Sequence, residues 1–401
     1  MLQNSNMSSP FHLVFLVSGL LDGGIETVLI EYLKHFSKDK KFKITLCIAK
    51  AMGELEVYKK EIPPTVNIVY CSNTKLLTHF AQQRALRKIS KLGKLFDEII
   101  LNPIRRYQTR RGIQQVITDA DVVIDFDSCA YSHLKSCTAK KIAYFHFSFK
   151  QRVMQDRRRM ERLGKELERY DKIVTICEAM RAEGEQLFPH LKEKLEVIYN
   201  PKFQKDVQDK AKVRPNDNRF DQPFLLAIER LEESQKDITT LLKAYSILVK
   251  TYQHTESLYI IGKGKSENEL RELAKELGVE DKVIFLGFMP NPYPWIKRSK
   301  LLVHSAKFEG LPTVLIEGLM LNKLIVATDC PTGPGELLAG GKAGLLVPVG
   351  DAQALATAIH QALTDTNLQK QLLKGATERA FDFTFPAIEA KLNRIMCIEA
   401  L

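Results

Sequence analysis

Hydrophobic residues occur in short continuous runs separated by longer amphipathic or polar segments. In the first half of the chain these runs are FHLVFLVS (11–18), KITLCIA (43–49), VNIVYC (66–71), DVVIDF (121–126), KKIAYF (140–145), DKIVTIC (171–177) and LEVIYN (195–200). Apolar runs without polar alternation are typical of parallel strands buried on both faces. Because helical segments lie between most of them, the pattern predicts a doubly wound α/β sheet.

The same pattern restarts after a polar segment, residues 202–222, which has no periodicity and predicts a linker. The later runs are FLLAIER (224–230), SLYIIG (257–262), KVIFLGF (282–288), LLVHSA (301–306), LIVATD (324–329) and GLLVPV (344–349). We therefore expect two Rossmann-like domains, residues 1–201 and 223–380, facing across a cleft that holds the ligand. A C-terminal helix over 381–401 is expected to pack back on the N-terminal domain.

Composition excludes several classes of protein. Of 401 residues, 45% are hydrophobic and 27% charged, so the chain is neither disordered, collagen-like nor a disulfide scaffold. The net charge is +11, and residues 1–200 hold 33 Lys and Arg against 23 Asp and Glu. The basic N-terminal half is therefore expected to meet an anionic partner.

Cysteine and targeting patterns add two expectations. The seven cysteines are never spaced C-x-x-C and the nine histidines form no H-E-x-x-H pair, which favours reduced thiols and no bound metal. No stretch approaches 18 uninterrupted apolar residues, and the first ten residues do not form a signal peptide pattern. We expect a cytoplasmic protein that is neither secreted nor membrane-spanning.

The segment FEGLPTVLIEGL (308–319) offers an anion site. Pro312 suits the first helical position, which leaves Glu309 in the preceding loop and places Glu317 on the helix. The free N–H groups of Thr313 and Val314 at the positive helix end would bind phosphate. The alternative for this spacing is a capped helix with two solvated glutamates.

The longer run FEGLPTVLIEGLMLNKLIVATDCPTGPGELL, followed by GLLVPVGD, resembles the donor-site signature of glycosyltransferase family 4, retaining enzymes of the GT-B fold. Its block is most similar to bacterial lipopolysaccharide or capsule enzymes. Further blocks of the family occur in the expected order: Gly23, Gly24 and Glu26; Asn200 and Pro201; Arg230, Leu231 and Lys236; Gly262 and Gly264; Gly287 and Asn291 to Tyr293.

The resemblance implies roles for single residues. Arg230 and Lys236 would neutralise the donor diphosphate, which with a helix N-terminus could replace a metal, so no metal or cofactor is expected. Glu309 would bind donor-sugar hydroxyls, and Glu317 the ribose. Phe288 and Met289 would hold the base, and the other implied donor-site positions are Gly23, Gly24, Gly262, Gly310, Leu311, Pro312, Thr313 and Val314.

Two positions stand apart from this pattern. The family usually has glycine before the Arg of its Arg–Lys block, whereas this chain has Glu229, which must point away from the diphosphate or contact the sugar or acceptor. His146, in YFHFSFK, resembles a family histidine near the donor sugar and the acceptor hydroxyl. It joins Glu309, Arg230 and Lys236 as an expected catalytic residue, the alternative being a structural histidine at a strand end.

Basic residues are concentrated in the segment 75–111, which has ten Lys and Arg against two acidic residues. Leu86, Ile89, Leu92, Phe96 and Ile100 recur at helical spacing, with Arg84, Lys88 and Lys91 on another face. Such a helix could dock on an anionic membrane surface, or could pack in the core with a solvated basic face. A second cluster, Arg152, Arg157 and Arg158, could bind acceptor phosphate or carboxylate groups.

Together these patterns predict transfer of a hexose or N-acetylhexosamine from a nucleotide sugar, UDP-linked, to a lipopolysaccharide-core or other anionic glycolipid or polysaccharide at the inner membrane face. One alternative is a UDP-sugar epimerase or phosphorylase of the same architecture, which the Glu309/Glu317 block opposes. Another is a basic nucleic-acid- or membrane-binding protein, although no nucleic-acid recognition motif is present. Asp125-Phe126-Asp127 favours a turn over a metal site, and the first glycines lack the spacing for NAD.

Overall fold

The computed structural model describes residues 10–21, 23–154 and 156–398. The chain divides into two compact units. The first contains the residues up to Ile176, Arg181–Ile198 and the segment from Lys391, and the second contains Cys177–Met180 and Tyr199–Ala390. Each unit is built on one sheet in which every pair of neighbouring strands is parallel.

The sheet of the first unit has the strand order β3-β2-β1-β4-β5-β6-β7. Its strands are β1 (Phe11–Val17), β2 (Phe42–Ile48), β3 (Asn67–Tyr70), β4 (Val122–Asp125), β5 (Lys140–Phe145), β6 (Lys172–Thr175) and β7 (Leu195–Val197). Each lies within one of the apolar runs of the sequence or differs from it by one residue at an end. Six of the seven residues of β1 are buried, as expected for a strand covered on both faces.

The sheet of the second unit has the order β10-β9-β8-β11-β12-β13. Its strands are β8 (Phe224–Ile228), β9 (Ser257–Ile261), β10 (Val283–Gly287), β11 (Leu301–His304), β12 (Ile325–Thr328) and β13 (Leu345–Val347). The predicted fold class, two doubly wound parallel-sheet domains, is confirmed.

Helices connect the strands. They are α1 (Gly24–Phe36), α2 (Lys75–Ala85), α3 (Lys91–Phe96), α4 (Asn102–Ile117), α5 (Phe149–Val153), α6 (Arg157–Leu167), α7 (Glu178–Leu187), α8 (Gln204–Lys210), α9 (Ile238–Lys250), α10 (Glu267–Glu276), α11 (Tyr293–Arg298), α12 (Thr313–Met320), α13 (Pro334–Leu337), α14 (Ala352–Thr364), α15 (Thr366–Ala380) and α16 (Phe385–Met396). Within the described part of the chain, no helix combines the length and apolarity needed to cross a bilayer.

Both sheets reverse their strand order beside their first strand. In the first unit β1 lies between β2 and β4, and in the second unit β8 lies between β9 and β11. The crossover helices diverge to opposite sides at such a point and leave the carboxyl ends of the two central strands uncovered. Side chains that follow β1, β4, β8 and β11 are therefore well placed to meet a ligand.

Three local predictions differ from the structure. The segment 202–222, predicted as an irregular linker, contains α8, which buries Val207 and belongs to the second unit. Pro312 is the N-cap of α12 rather than its first residue, because its ψ of 109° is extended. The amphipathic helix predicted around residues 84–100 is interrupted between α2 and α3, where Arg87 has a left-handed φ of 56°.

We expect Gly375, in α15, to be required for packing of the second unit. A Cβ at this position would lie 2.0 Å from the Lys342 carbonyl oxygen, so alanine must push the helix off the backbone of residues 342–343. Overpacking costs about 1–3 kcal/mol, which outweighs the roughly 1 kcal/mol that alanine gains over glycine in a helix. Gly375→Ala should therefore lower the urea midpoint of unfolding, whereas Gln371→Ala, exposed on the same helix, should leave it unchanged. An unchanged midpoint for Gly375→Ala would show that this contact is not tight in solution.

Candidate functional site

The residues that follow the central strands of the second unit form one group at the reversal point. Arg230 follows β8, Gly262 follows β9, Phe288 follows β10 and Glu309 lies after β11. Backbone hydrogen bonds hold three of these ends together: the Glu229 N–H donates to the Ile261 carbonyl at 2.9 Å, and the Gly262 N–H to the Gly287 carbonyl at 2.9 Å.

Two glycines allow the loop after β9 to lie directly against the end of β8. A Cβ on Gly262 would be 1.9 Å from the Glu229 carbonyl oxygen, and one on Gly264 would be 2.2 Å from that of Leu231. Gly262 also has a φ of 148°, which side chains rarely adopt. Beside Arg230, which is itself exposed, this loop therefore presents its backbone and no side chain from the two glycine positions.

Glu309 is the central buried acid of this group. Its carboxylate contacts the Lys236 ammonium, its Oε1 lies 3.4 Å from His304 Nε2, and its Oε2 accepts a hydrogen bond from Gln235 at 3.5 Å. Burial opposes the charge of Glu309, but Lys236 and His304 outweigh it and lower the pKa to about 2. The group is thus an ionised carboxylate held beside a buried cation.

Glu229, where the resemblance predicts glycine, turns inward. Its Oε1 accepts a hydrogen bond from the Ser305 N–H at 2.6 Å and lies 3.2 Å from His304 Nδ1. Its side chain has no solvent exposure. The carboxylate therefore belongs to the buried cluster around Glu309, and it does not form a free surface charge beside Arg230.

The loop between Glu309 and α12 is fixed by short-range contacts. The Thr332 hydroxyl donates to the Glu309 carbonyl oxygen, and a Cβ on Gly333 would lie 2.4 Å from the Gly310 carbonyl oxygen. Gly310, Leu311 and Pro312 are buried, while Thr313 and Val314 are half-buried. No side chain caps the first turn of α12, so its N–H groups retain the capacity to bind an anion.

Glu317 has a partner that the sequence did not indicate. Its Oε1 lies 2.9 Å from the ammonium of Lys202, whose side chain is 1% exposed, and the Tyr293 hydroxyl is 3.5 Å from the same oxygen. Lys202 comes directly after the Asn-Pro block, in the predicted linker. A polar segment without periodicity gives no indication that one of its lysines is buried. The sequence alone could therefore not predict this ion pair.

Phe288 and Met289, the positions expected to hold the base, are both half-buried. They follow Gly287, whose φ of 75° turns the chain away from β10. The Lys263 ammonium lies 4.9 Å from the centroid of the Phe288 ring. The structure thus brings Phe288 to the loop that also contains Gly262 and Gly264.

The first unit has a cavity of about 280 Å³ at its own reversal point, lined among others by Ser18, Glu26, Asp127, His146 and Arg152. Asp127 Oδ2 accepts hydrogen bonds from the Ser18 N–H at 2.8 Å and its hydroxyl at 2.5 Å. Asp127 Oδ1 has no hydrogen-bond partner among the described residues. The cavity therefore presents a carboxylate oxygen that can accept from a hydroxyl group.

His146 contributes a second acceptor to this cavity. Burial lowers its pKa to about 4, against a weaker opposing effect of a hydrogen bond to the Phe126 backbone, so the ring is neutral at pH 7. Its Nε2 has no partner among the described residues. A neutral ring that donates to the backbone through one nitrogen carries its lone pair on the other, and Nε2 is the nitrogen without a partner. The arrangement can accept a proton or a hydrogen bond from a bound hydroxyl.

Asp125 shapes the turn that carries Asp127. It accepts hydrogen bonds from the Cys129 and Ala130 N–H groups at 2.9 and 2.8 Å and from the Tyr170 hydroxyl. Burial, and then the Asp127 charge, raise its pKa to about 6. Ligand atoms of Asp125, Asp127 and Cys129 lie within 4.8 Å of one another, but the Asp125 oxygens are already used by the turn.

Further predicted residues of the first unit lie at α1, α5 and α6. Gly23 is the N-cap of α1, which Gly24 begins. Arg152 donates to the Ser128 carbonyl at 3.3 Å and stacks over Phe145, beside the cavity. Arg157 and Arg158 are exposed on α6, where Arg157 pairs with Glu161. Their roles toward donor or acceptor stay predictions.

Arg84 is not a free membrane-binding cation. It pairs with Asp97, and with Glu98 at 3.2 Å, while Arg105 holds the other Asp97 oxygen at 2.8 Å. Asp97 is 1% exposed, so these arginines compensate a buried charge. Lys88 and Lys91 are exposed.

The apolar residues around them are exposed rather than packed in the core. We call this set the apolar surface: Leu76, Leu86, Leu92, Leu95, Phe96, Ile99, Ile100, Ile104 and Tyr107, each more than 40% exposed. Because folded proteins rarely expose so many large apolar side chains in one segment, this surface indicates an interaction site. The alternative of a core-packed helix is wrong for these positions.

Two family models match the chain in succession. Residues 22–201 match the model "Glycosyltransferase Family 4", and residues 209–379 match "Glycosyl transferases group 1". The match boundary, between residues 201 and 209, lies close to the division between the two units.

The curated relatives include a Campylobacter jejuni N-acetylgalactosamine-N,N'-diacetylbacillosaminyl-diphospho-undecaprenol 4-alpha-N-acetylgalactosaminyltransferase, 33% identical over 47% of this chain and 50% of that protein. The chain spans about half the length of the first such relatives. A Salmonella typhimurium lipopolysaccharide 1,6-galactosyltransferase is 24% identical over 79% of this chain and 85% of that protein. Anabaena HepE in complex with UDP and glucose has a similar fold, with a TM-score of 0.74, 18% identity, and coverage of 98% of this chain and 100% of HepE.

We expect His146 to make stability depend on pH. Its pKa of about 4 in the folded chain lies below the value near 6.5 of an unfolded histidine, so below pH 6.5 the unfolded chain binds a proton that the folded chain does not. The free energy of unfolding should therefore fall as the pH decreases from 7 toward 4. His146→Gln should flatten part of this dependence in urea titrations at pH 7, 5.5 and 4.5, and the exposed His79→Gln should not. Equal slopes for His146→Gln and wild type would contradict a buried neutral His146.

Proposed function

Because the chain belongs to the glycosyltransferases, with a family 4 domain followed by a group 1 domain, we propose that it transfers a hexose or N-acetylhexosamine with retention of configuration. The donor is a UDP-sugar, and the acceptor is an anionic glycolipid or polysaccharide such as the lipopolysaccharide core. The observation that carries this proposal is the ionised Glu309, held beside Lys236 at the mouth of α12. A carboxylate there can bind sugar hydroxyls while the helix end binds phosphate.

The comparisons support the donor class and the acceptor class separately. HepE, which shares the fold, binds UDP and glucose. The Salmonella relative is named as a lipopolysaccharide galactosyltransferase, and the Campylobacter relative acts on a diphospho-undecaprenol-linked glycan. The diphospho-undecaprenol-linked glycan of the Campylobacter relative carries phosphate, which would suit the basic first half of this chain.

In the proposed reaction, the bond between the sugar carbon and the diphosphate oxygen breaks, and the acceptor oxygen bonds to the same face of that carbon. The acceptor proton passes to the departing diphosphate, so no covalent intermediate on the protein is needed. Arg230, Lys236 and the N-terminus of α12 stabilise the charge that develops on the diphosphate. With these groups the reaction requires no metal ion. Glu317 binds the ribose, and Phe288 with Met289 contacts the base.

The cavity of the first unit is proposed to bind the acceptor. Asp127 Oδ1 and the neutral His146 Nε2 both lack partners among the described residues, so both can accept from acceptor hydroxyls. Arg152 lines the same cavity and supplies a positive charge for an acidic group. A hydroxyl-bearing, anionic glycan matches this combination of acceptors and cation.

The apolar surface is proposed to dock on the cytoplasmic membrane face, where a lipid-linked acceptor would be found. Lys88, Lys91 and Lys94 are exposed among its apolar side chains, so the surface combines insertion with attraction to anionic headgroups. The sequence predicted this docking from a basic amphipathic helix. Because Arg84 is paired with Asp97, we assign the larger contribution to membrane binding to insertion of the apolar side chains.

Glu309→Gln tests the proposed donor site. Since its interaction with the sugar strengthens in the transition state, the substitution should lower kcat on the order of 10²-fold while UDP affinity stays nearly the same. The measurement is hydrolysis of UDP-glucose, UDP-galactose and their N-acetylamino forms in EDTA, with UDP binding followed by calorimetry. Glu276→Gln, exposed on α10, is the matched control. Turnover at the wild-type rate by Glu309→Gln, or loss of wild-type activity in EDTA, would overturn this assignment.

Leu92→Glu combined with Ile99→Glu tests the membrane surface. These side chains are 81% and 60% exposed, so the folded state should be retained. Burying a leucine-sized side chain is worth about 1.5–3 kcal/mol, so losing two should weaken binding to phosphatidylglycerol-containing vesicles by roughly 100-fold or more. Val213→Glu, in the second unit and about as exposed as Ile99, should sediment with vesicles as wild type does. Unchanged sedimentation of the double variant would remove the apolar surface from membrane binding.

A further inference from the structure

Four ionisable side chains of the second unit form a buried cluster at the carboxyl ends of β8 and β11. They are Glu229, Lys236, His304 and Glu309, and each is at most 9% exposed. His304 lies between the two carboxylates, with Nδ1 3.2 Å from Glu229 Oε1 and Nε2 3.4 Å from Glu309 Oε1. Lys236 contacts the same Glu309 oxygen from the loop before α9.

The charges of this cluster balance when both carboxylates are ionised and His304 is protonated. Two carboxylates and one ammonium would leave a net negative charge in a largely buried site, which is costly. An imidazolium at His304 makes the cluster neutral. Burial and the Lys236 charge both lower the pKa of His304, but Glu229 and Glu309 outweigh them, and the pKa is raised above its usual value.

Glu309 and the donor diphosphate compete for the Lys236 ammonium. The proposed function assigns this ammonium to the diphosphate, yet in the structure it contacts Glu309. When it moves to the diphosphate, the remaining polar partners of the Glu309 carboxylate are Gln235, at 3.5 Å, and His304. Because a single long hydrogen bond from an amide cannot stabilise a buried carboxylate, a cationic His304 is needed to keep Glu309 ionised and in place.

The geometry points to a positioning role for Glu229 and His304: Glu229 keeps His304 cationic, and cationic His304 holds Glu309 toward the sugar when Lys236 turns to the diphosphate. This inference rests on the proposed function for the role of Lys236. It explains why a carboxylate is tolerated where the family resemblance predicts glycine. The negative charge of Glu229 is balanced by the positive charge of His304, so the net charge beside the diphosphate is the same as it would be with glycine at position 229.

The titratable groups near His304 within the described part of the chain come from the residues around β8, α9, β11 and β12. Glu229 follows β8, Lys236 precedes α9 and Glu309 follows β11, while the Cys330 thiol, which follows β12, lies near Lys236 and Glu309. Burial raises the pKa of that thiol to about 12, so it stays neutral at pH 7. The charge of His304 therefore depends on the two carboxylates and on Lys236.

A titration of the histidine ring signals by NMR tests the pair without any donor. In the full-length protein labelled at histidine, the signal lost in His304→Gln identifies His304. It should titrate above pH 6.5 in the wild type, and Glu229→Gln should lower that midpoint by roughly one unit or more. Glutamine can still accept the Ser305 hydrogen bond, so only the charge is removed. A midpoint unaffected by Glu229→Gln would overturn the inference.

The pH dependence of donor hydrolysis tests the same pair in the working enzyme. Because cationic His304 is the active form, kcat should fall as the pH rises through its pKa, and Glu229→Gln should move this alkaline limb to lower pH with little change in KM. His304→Gln removes the cation that holds Glu309, so its kcat should be low at every pH and should no longer show the alkaline limb. The double variant Glu229→Gln/His304→Gln relieves the unpaired Glu229 charge but still lacks that cation, so its melting temperature should exceed that of His304→Gln while its kcat stays low. A double variant with wild-type kcat would contradict the positioning role.

A matched histidine–glutamate pair controls for stability. His254 Nδ1 lies 3.3 Å from Glu256 Oε2 in the same unit, outside the cluster. His254→Gln should leave the alkaline limb in place, whatever its effect on the melting temperature. If His254→Gln shifts the limb as Glu229→Gln does, the effect is general destabilisation and the positioning role is rejected. If no nucleotide sugar is hydrolysed, the proposed function fails while the NMR titration still decides the His304 charge.

Discussion

The reversal of strand order beside the first strand of each sheet is the constraint on which both candidate sites depend. Where crossover connections diverge, the carboxyl ends of the two central strands lack a covering helix. In the second unit this exposes the ends of β8 and β11, which carry Arg230 and Glu309. In the first unit it exposes the ends of β1 and β4, which carry Ser18 and Asp127.

Within the second unit, burial strengthens the electrostatic interactions of the residues at this position. Glu309 and Lys236 lie in a site where the attraction between opposite charges is strong and where an unpaired charge is expensive. An anionic diphosphate can therefore bind only if the existing ion pair opens or is shared. The Glu229–His304 pair lowers the cost of opening it, because Glu309 retains a cationic neighbour.

The sequence predicted the fold, and it predicted that Glu309 lies in the loop before α12, because both follow from short-range patterns. Buried parallel strands require continuous apolar runs, and all thirteen strands of the described chain fall in or beside the runs in FHLVFLVS and its counterparts. Glu309 could be placed from the loop before α12 alone. The glycines at 262 and 264 were marked by the family resemblance, and the structure supplies their reason, the close approach of two backbones.

The remaining features depend on contacts between distant residues, which no local pattern encodes. The ion pair between Lys202 and Glu317 joins positions 115 residues apart, and His304 looked like any residue of an apolar strand. Arg84 was assigned to a basic face, since its buried partner Asp97 lies beyond the turn at Arg87. The apolar spacing predicted a continuous helix through that turn, because a hydrophobic pattern does not show that one residue, Arg87, has a left-handed backbone conformation.

A crystal structure of the protein with UDP bound is the most direct test of the donor site. The diphosphate should contact Arg230 and the Lys236 ammonium, which should have moved off Glu309, while Glu309 Oε1 stays within ion-pair distance of His304. UDP bound away from the ends of β8 and β11, or a diphosphate bound with Lys236 still on Glu309, would contradict the account.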